Sequence, residues 1–418
     1  MVAWSIFLFI DMLLWLFMVC SVMYVLVFAL ASILPRPPKS QTSKLKTSKL
    51  KTFLVLYPAY HEDSVICTSA ESFLKQDYPS DKYQVIVISD HMTDETNQRL
   101  SSLPITLLTP QFDKSSKARA LQYAVHSLQS TAHRSDDQQT KDSAPSTIDY
   151  VVILDADNVV APDFLSRLNS ECQNGYRAIQ CHRTAKNSGN DIAELDGLSE
   201  EINNSIFRRG HNRVGLSSAL IGSGMCLDFE WFASHVDKLS TAGEDKELEA
   251  MLLWERVHVH FAEDILVKDE KVSGSDNFQR QRLRWMTAQI QCFMAMIPRL
   301  PRAIATFRID YIDKTIQQAL IPRSILLVVI PLMAILAHII TYIVHRSTNY
   351  ELSTMHYTKW WLLLLALVLA LFIAIPNRLR TRALITKALA LPALALHMIR
   401  NIVRIERKNT DFLHTEHG

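Results

Sequence analysis

Gln281, Arg284 and Trp285 lie at i, i+3 and i+4 in the run Gln281-Arg282-Leu283-Arg284-Trp285. On a helix that spacing puts an amide, a guanidinium and an indole on one face. An amide orients hydroxyls, a guanidinium holds phosphate, and an indole stacks on a sugar ring. Three acidic signatures precede this run in the chain. They are Asp90 in VIVISDHMTD, Asp155-Ala156-Asp157 in VVILDAD, and Glu244-Asp245 in TAGED. Together these groups would suit a phosphorylated sugar and its acceptor.

Asp155 and Asp157 are two residues apart, so in extended chain they share one face. Mg2+, or Mn2+ in its place, binds through one or two carboxylates plus substrate phosphates, which suits this pair to an ion bridging a nucleotide diphosphate. The alternative is a pair of turn acids at a strand end. Asp245 follows Gly243 at a helix start. There it is either a general base for an acceptor hydroxyl or a dipole partner of the helix. Lys117 and Arg119 stand near another helix start and could hold phosphate there, or be solvated helix charges. Gly222-Ser223-Gly224 offers either close backbone approach to a ligand or an ordinary turn.

Alternating runs must position these groups. Strand-like runs cover Phe53–Tyr57, Gln84–Ser89, Ile105–Leu108, Tyr150–Leu154 and Arg177–Cys181. Helix-like runs cover 64–76, 93–103, 116–129, 162–174 and 191–210. That alternation predicts an α/β domain with a parallel sheet covered on both faces. Ligands of such sheets bind beyond the carboxyl ends of the strands, where Asp90 and Asp155–Asp157 fall. The polar stretch Thr131–Thr147 reads as an inserted, exposed loop.

Apolar segments bracket this region. A spanning helix needs about 20 apolar residues, and residues 12–34 provide them. Asp11 is then a residue at the outer interface or an intramembrane partner for a basic residue. Further apolar runs cover Ser324–Val344 and Trp360–Ile375. Arg36, Lys39, Lys44, Lys46, Lys49 and Lys51 follow the first run. Arg299, Arg302, Arg308 and Arg323 precede the second, and Arg378, Arg380 and Arg382 follow the third. These flanks are predicted to be cytoplasmic, with His345–Lys359 as the external loop. The expected organisation is a transmembrane helix (1–35), a basic tether that can touch lipid headgroups (36–52), and a globular domain (53–285). Interfacial helices (286–323), two transmembrane helices (324–377), and an interfacial helix with a tail (378–418) follow. Residues 383–403 carry an apolar stripe and read as interfacial.

The chain has 418 residues and a net charge of +2. Near-neutral charge implies no nucleic-acid partner. Cys20, Cys67, Cys172, Cys181, Cys226 and Cys292 show no zinc spacing. They read as reduced thiols in a cytosolic context, with a disulfide as the alternative.

The ordered motifs resemble the membrane-bound family 2 glycosyltransferases, the group of cellulose, hyaluronan and chitin synthases and their smaller bacterial relatives. The likeness runs from about Leu54 to Trp285 and into the flanking membrane segments. The family pattern is Pro-x-Tyr-Asn-Glu, an Asp-bearing strand end, D-x-D, an E-D pair and Q-x-x-R-W. Here the opening reads Pro58-Ala59-Tyr60-His61-Glu62. His61 stands where Asn is usual, Ser116 precedes Lys117 where Gly is usual, and Gly243 precedes Glu244 where Thr is usual. None of these departures removes a group with an assigned role.

The resemblance implies a GT-A, Rossmann-like nucleotide-sugar domain inserted between transmembrane helices. It further implies Glu62 and Asp90 as uracil and ribose contacts, Asp157 as the main metal ligand, and Asp155 on the nucleotide or sugar side. Asp245, over Glu244, is implied as the base of a single inverting displacement. Gly222 and Gly224 would border the acceptor, Arg284 would meet the diphosphate, and Trp285 would stack on the acceptor sugar. A membrane-belt role is the alternative for Trp285. The expected enzyme moves sugar from a UDP-sugar to a growing glycan at the cell membrane, with Mg2+ or Mn2+, as a processive synthase. The alternatives are single transfer to a lipid-linked acceptor and a non-enzymatic scaffold.

Overall fold

The computed structural model describes residues 2–36, 49–135, 147–186, 191–241, 243–271, 275–347 and 354–381. The expected interfacial helix over 383–403 and most of the basic tether lie outside these residues. The chain forms two compact units. One comprises residues up to Arg36, Leu198–Val214, and the segment from Ala319 onward. The other comprises the rest of the described chain up to Gln318.

The globular unit is built on one eight-stranded sheet of order β3-β2-β1-β4-β7-β6-β8-β5. Its strands are β1 (Phe53–Tyr60), β2 (Tyr83–Asp90), β3 (Thr106–Leu108), β4 (Tyr150–Ile153), β5 (Val159–Val160), β6 (Ala178–Ala185), β7 (Met225–Asp228) and β8 (Val259–Asp269). Apolar, β-branched runs such as Leu54-Val55-Leu56 and Val85-Ile86-Val87-Ile88 are buried on both faces, as strands between two helical layers must be. Tyr57, Phe73, Phe164 and Leu168 belong to one core layer, and Leu121, Phe232, Leu248 and Tyr311 to the other. The five predicted strands form where expected, and β1–β4 pair in parallel. The wholly parallel expectation is corrected by β7, which runs antiparallel to both β4 and β6, and by β5, antiparallel to β8. The four residues of β7 follow the Gly222–Gly224 turn and carry too short a pattern to declare a strand. The predicted loop at Thr131–Thr147 is also shortened, because helix Lys117–Ser135 continues into it.

Helix Ser275–Met296 runs through Trp285. Residues 286–318 belong to the globular unit, held through Met296, Ala303 and Tyr311 and a buried Lys314–Glu249 ion pair at 3.0 Å. Their other face leaves Ile290, Met294, Ile304 and Phe307 exposed. Arg299, Arg302 and Arg308, read from sequence as flanking charges, lie over the Trp254 ring.

The predicted helix 191–210 divides between the units. Its latter part becomes a π-helical turn, Asn204–Gly210, in the unit with the three apolar helices. His211 stacks on Phe28 at 3.6 Å and meets the Tyr24 hydroxyl at 2.8 Å. A Cβ at Gly210 would lie 2.3 Å from the Phe28 carbonyl oxygen, so glycine permits this approach. Arg323 donates to Asn203, and Arg378 to Glu201, each at 2.6 Å.

Three helices are long and apolar enough to cross a membrane, at Ser5–Ser32, Arg323–Arg346 and Met355–Ala374. Met18, Val22, Ile330, Ala334, Trp360 and Leu367 pack together between them. Asp11 is buried among them. Its carboxylate is ion-paired with Lys359, accepts from Trp360 Nε1 at 2.9 Å, and lies 3.5 Å from His356 Nε2. Removing one member of a buried pair strands the other, at a cost of about 3 kcal/mol. Asp11→Ala should therefore lower the unfolding midpoint of detergent-purified protein markedly, and Asp11→Leu with Lys359→Met should recover most of the loss. An unchanged midpoint in Asp11→Ala would remove the pair as a fastening of this bundle.

Candidate active site

The carboxyl ends of β1, β2 and β4 bring together residues distant in sequence. Tyr60 pairs with Asp90 in the β1–β2 register, so Glu62 and Asp90 leave adjacent strand ends. Asp155 and Asp157 follow β4 directly. Asn158 fixes their turn: its Oδ1 accepts from Asp155 N–H at 3.0 Å, and its Nδ2 donates to Asp157 Oδ1 at 3.0 Å. The other Asp157 oxygen accepts from Glu270 N–H at 2.6 Å.

Lys117 joins three motifs. Its ammonium lies 2.5 Å from Asp155 Oδ1 and 3.6 Å from Glu244 Oε1, and it donates to the Gly222 carbonyl. Burial pulls the Lys117 pKa down, but Asp155 and Glu244 outweigh it and hold it above its usual value. Burial pushes Glu244 up to about 7, with Lys117 opposing the shift and Asp245 adding to it. Glu244 is thus a buried partner of Lys117. Asp245, half-buried in the first turn of helix Glu244–Trp254, keeps an open side. Its Oδ1 accepts from Lys246 N–H at 2.8 Å.

The glycines are steric requirements of this arrangement. A Cβ at Gly222 would lie 3.3 Å from Glu244 Oε1 and 3.4 Å from Lys117 Nζ. Gly224 has φ +69° and would press a Cβ to 3.1 Å from Val267. At Gly243 a Cβ would meet Ala288 Cβ at 3.0 Å. The missing side chain at Gly243, where the resemblance leads one to expect Thr, therefore lets helix Ser275–Met296 close on the turn before Glu244. Ala288 lies one turn beyond Arg284, and Cys292 Sγ, a further turn on, lies 3.9 Å from the Lys246 carbonyl. That face of the helix runs along the Gly243–Lys246 segment, with Arg284 and Trp285 half-buried. The Gln281 side chain lies outside the described residues. Arg119 is not brought to the site; it is exposed and donates to the Lys114 carbonyl at 2.9 Å.

Glycosyl transferase family group 2 matches the chain over residues 150–375, more than half its length. The chain belongs to this family. Glycosyl transferase family 2 also matches residues 54–234, so the two matches together reach from β1 through the third apolar helix. Comparison with curated protein sequences found no match. Among solved structures, the chain is similar to the mannosyltransferase PcManGT from Pyrobaculum calidifontis, solved with GDP-Man and Mn2+. Identity is 15%, covering 84% of this chain and 95% of that one, with a TM-score of 0.49. It is also similar to Staphylococcus aureus TarS 1–349, with 12% identity, coverage of 86% and 93%, and a TM-score of 0.38. A third likeness is to glucosyl-3-phosphoglycerate synthase from Mycobacterium tuberculosis, with 16% identity, coverage of 62% and 86%, and a TM-score of 0.38.

The glycosyltransferase has the α/β domain expected from its motifs: a mixed sheet with D-x-D after β4 and the E-D pair beside it. Sequence reasoning missed several residues that build its site. Glu270 clamps Asp157 from a strand end 113 residues away, and no local pattern marks it. Gln180, buried in β6, donates to the Ser223 carbonyl at 2.9 Å and accepts from Ile221 N–H at 2.9 Å, bracing the glycine turn. Ser223 closes on Asn158. The polar Asn after D-x-D was the one available signal.

The donor set of the glycosyltransferase fits a divalent cation. Glu62 is pushed up to about 8 by burial and by the charges of Asp157, Asp155 and Glu270, so negative charge is in excess there. Among the described residues, no three His, Cys, Asp or Glu side chains form a metal cage. Two carboxylates are what an ion shared with a diphosphate requires. The Glu62 shift has a stability consequence. A carboxyl whose folded pKa is raised stabilises the fold below its unfolded pKa, near 4.5, and loses that contribution as pH rises through about 8. Glu62→Gln should therefore raise the unfolding midpoint of the EDTA-treated protein at pH 8.5 and change it little at pH 4.5. Equal shifts at both pH values would contradict the crowding of these acids.

Proposed function

We propose that this glycosyltransferase moves a sugar from a UDP-sugar to a growing glycan in one inverting displacement, at the inner face of the cell membrane. The convergence of Lys117, Asp155, Glu244 and Gly222 beside Asp157 carries this reading. It brings one cation and an acidic pair to the carboxyl ends of the strands, which supports a site for a sugar diphosphate. Asp155 and Asp157 would hold Mg2+ or Mn2+, and the ion would stabilise the negative charge of the departing diphosphate. Lys117 neutralises Asp155 and braces the glycine turn. Asp245 takes the proton from the acceptor hydroxyl as that oxygen attacks the anomeric carbon. Arg284 and Trp285, on one helix face, serve the diphosphate and the acceptor sugar.

The apolar face of residues 286–318 supports the interfacial role expected for those helices. Exposed Phe307 and Ile304 would seat in the headgroup boundary. Stacking by Trp285 is tolerant of register, because each new terminal sugar presents a similar face. That property supports a processive synthase. Product sizing decides between the modes. Purified protein with a radiolabelled UDP-sugar should yield a ladder of long products, whereas a single added residue on extracted lipid would establish the one-step transferase.

A further inference from the structure

We propose that Arg256, Arg299 and Arg302 hold the phosphate of an anionic phospholipid headgroup, with Phe307 seated beside it at the acyl boundary. This rests on the interfacial role proposed above for residues 286–318 and adds the lipid class that they select. Two helices end side by side here. Helix Glu244–Trp254 closes with Arg256 N–H on the Leu253 carbonyl at 3.2 Å and Val257 N–H on the Leu252 carbonyl at 2.9 Å. Helix Leu300–Ala305 closes by the same pattern, with Phe307 N–H on the Ile304 carbonyl at 3.1 Å and Arg308 N–H on the Ala303 carbonyl at 2.9 Å. The second residue past each helix takes the left-handed conformation, φ 60° at Arg256 and 52° at Phe307. Glycine is the usual occupant of that position, and a bulky residue there is strained. This chain places a cation at one end and an aromatic ring at the other. The Arg256 guanidinium donates to the Thr306 carbonyl at 2.6 Å, which joins the two ends. Both side chains are exposed, Phe307 by 80%. Strain kept for a ring that the fold leaves outside points to a use beyond the fold.

Three guanidiniums share the Trp254 indole, with Arg308, Arg299 and Arg302 at 4.5, 5.4 and 5.8 Å from the ring centre. Arg308 is accounted for, because it donates to the Trp254 carbonyl at the negative end of that helix. Arg299 and Arg302 are exposed, and among the described residues neither guanidinium makes a hydrogen bond or an ion pair. A guanidinium held over an indole keeps N–H donors open, and these bind phosphate oxygens in pairs. Like charges gathered on one ring repel, and an anion set among them relieves the repulsion. The surroundings fit a lipid phosphate. Met294, Ile304 and Ile309 are exposed on the same segment, and a surface that is apolar beside its cations lies at headgroup level. A zwitterionic headgroup brings its own cation to the arginines. An anionic one, such as phosphatidylglycerol, brings none.

The test puts the photoreactive p-benzoylphenylalanine in place of Phe307 in the full-length protein. The protein is irradiated in nanodiscs of equal phosphatidylglycerol and phosphatidylcholine, and mass spectrometry identifies the lipid captured. Capture should favour phosphatidylglycerol by about tenfold or more, given about fivefold per arginine at an anionic surface. Arg299→Gln with Arg302→Gln in the same protein should bring the ratio close to equality. Sodium phosphate should change the ratio no more than sodium chloride of equal ionic strength. Phe307→Gly, which suits the left-handed position, should raise the unfolding midpoint of the detergent-purified protein. Equal capture of the two lipids overturns the headgroup site and leaves the interfacial reading intact. So does a ratio that the double variant leaves unchanged, or one that phosphate alone abolishes. An unraised midpoint in Phe307→Gly overturns the placing of Phe307 for the membrane. Capture of no lipid at all overturns the interfacial reading as well, and in every case the transferase reading stands apart.

Discussion

Asp157→Asn should reduce sugar transfer by about 1,000-fold, the scale of losing a preorganised electrostatic group in a dry site. Asp157 is almost fully buried, and both its oxygens face donors, Asn158 Nδ2 and Glu270 N–H. An amide keeps the shape but not the charge that a hard cation needs. It also turns an NH2 group toward one of those two donors, so some loss of order at the turn should follow. The unfolding midpoint separates the two effects. Asp157→Asn should lie below wild type without metal, by the donor clash alone, and should in addition lose the stabilisation that Mn2+ with UDP gives the wild type. Near-native turnover would move the metal ligand elsewhere.

Asp245→Asn should slow transfer by about 100-fold or more, the range of general-base catalysis, while UDP affinity stays within about threefold. The buried Glu244–Lys117 contact favours Asp245 over Glu244 as the proposed base. Glu244 is committed to Lys117 at 3.6 Å and enclosed beneath Gly222. Asp245 sits one residue on and is only half-buried. Glu244→Gln should show the opposite pattern, disturbing Lys117 and the glycine turn and so weakening nucleotide binding. Pre-steady-state transfer together with UDP titration reads both quantities. If Asp245→Asn turned over at the wild-type rate, its carboxylate would be a helix-dipole partner and no base.

Much of this site was legible because its acids mark the ends of strands. Continuous β-branched runs announce buried strands, and a carboxylate at the end of such a run lies at the sheet's ligand edge. Asp90, Asp155 and Asp157 could be placed in that way, and the Gly222–Gly224 turn was visible as a close approach. Glu270 was hidden because it acts across the sheet from a distant strand. Arg119, two residues from Lys117, points out along the helix and donates to the Lys114 carbonyl. The antiparallel β7 escaped notice because four residues are too few to show a period. The split of helix 191–210 escaped because Gly210 and His211 make their contacts with Tyr24 and Phe28 of the first apolar helix. Asp11 posed a similar problem, since its partner lies 348 residues away.

Metal-dependent release of UDP from UDP-sugars, followed with a membrane-derived acceptor in detergent-purified protein, tests the central claim most directly. The wild type should release UDP together with transfer of label from the sugar, lose both in EDTA, and recover both with Mn2+ or Mg2+; Asp157→Asn should do neither under any condition. Release that persisted in EDTA, or that Asp157→Asn supported as well as the wild type, would contradict the assignment of Asp155 and Asp157 to a metal–diphosphate site.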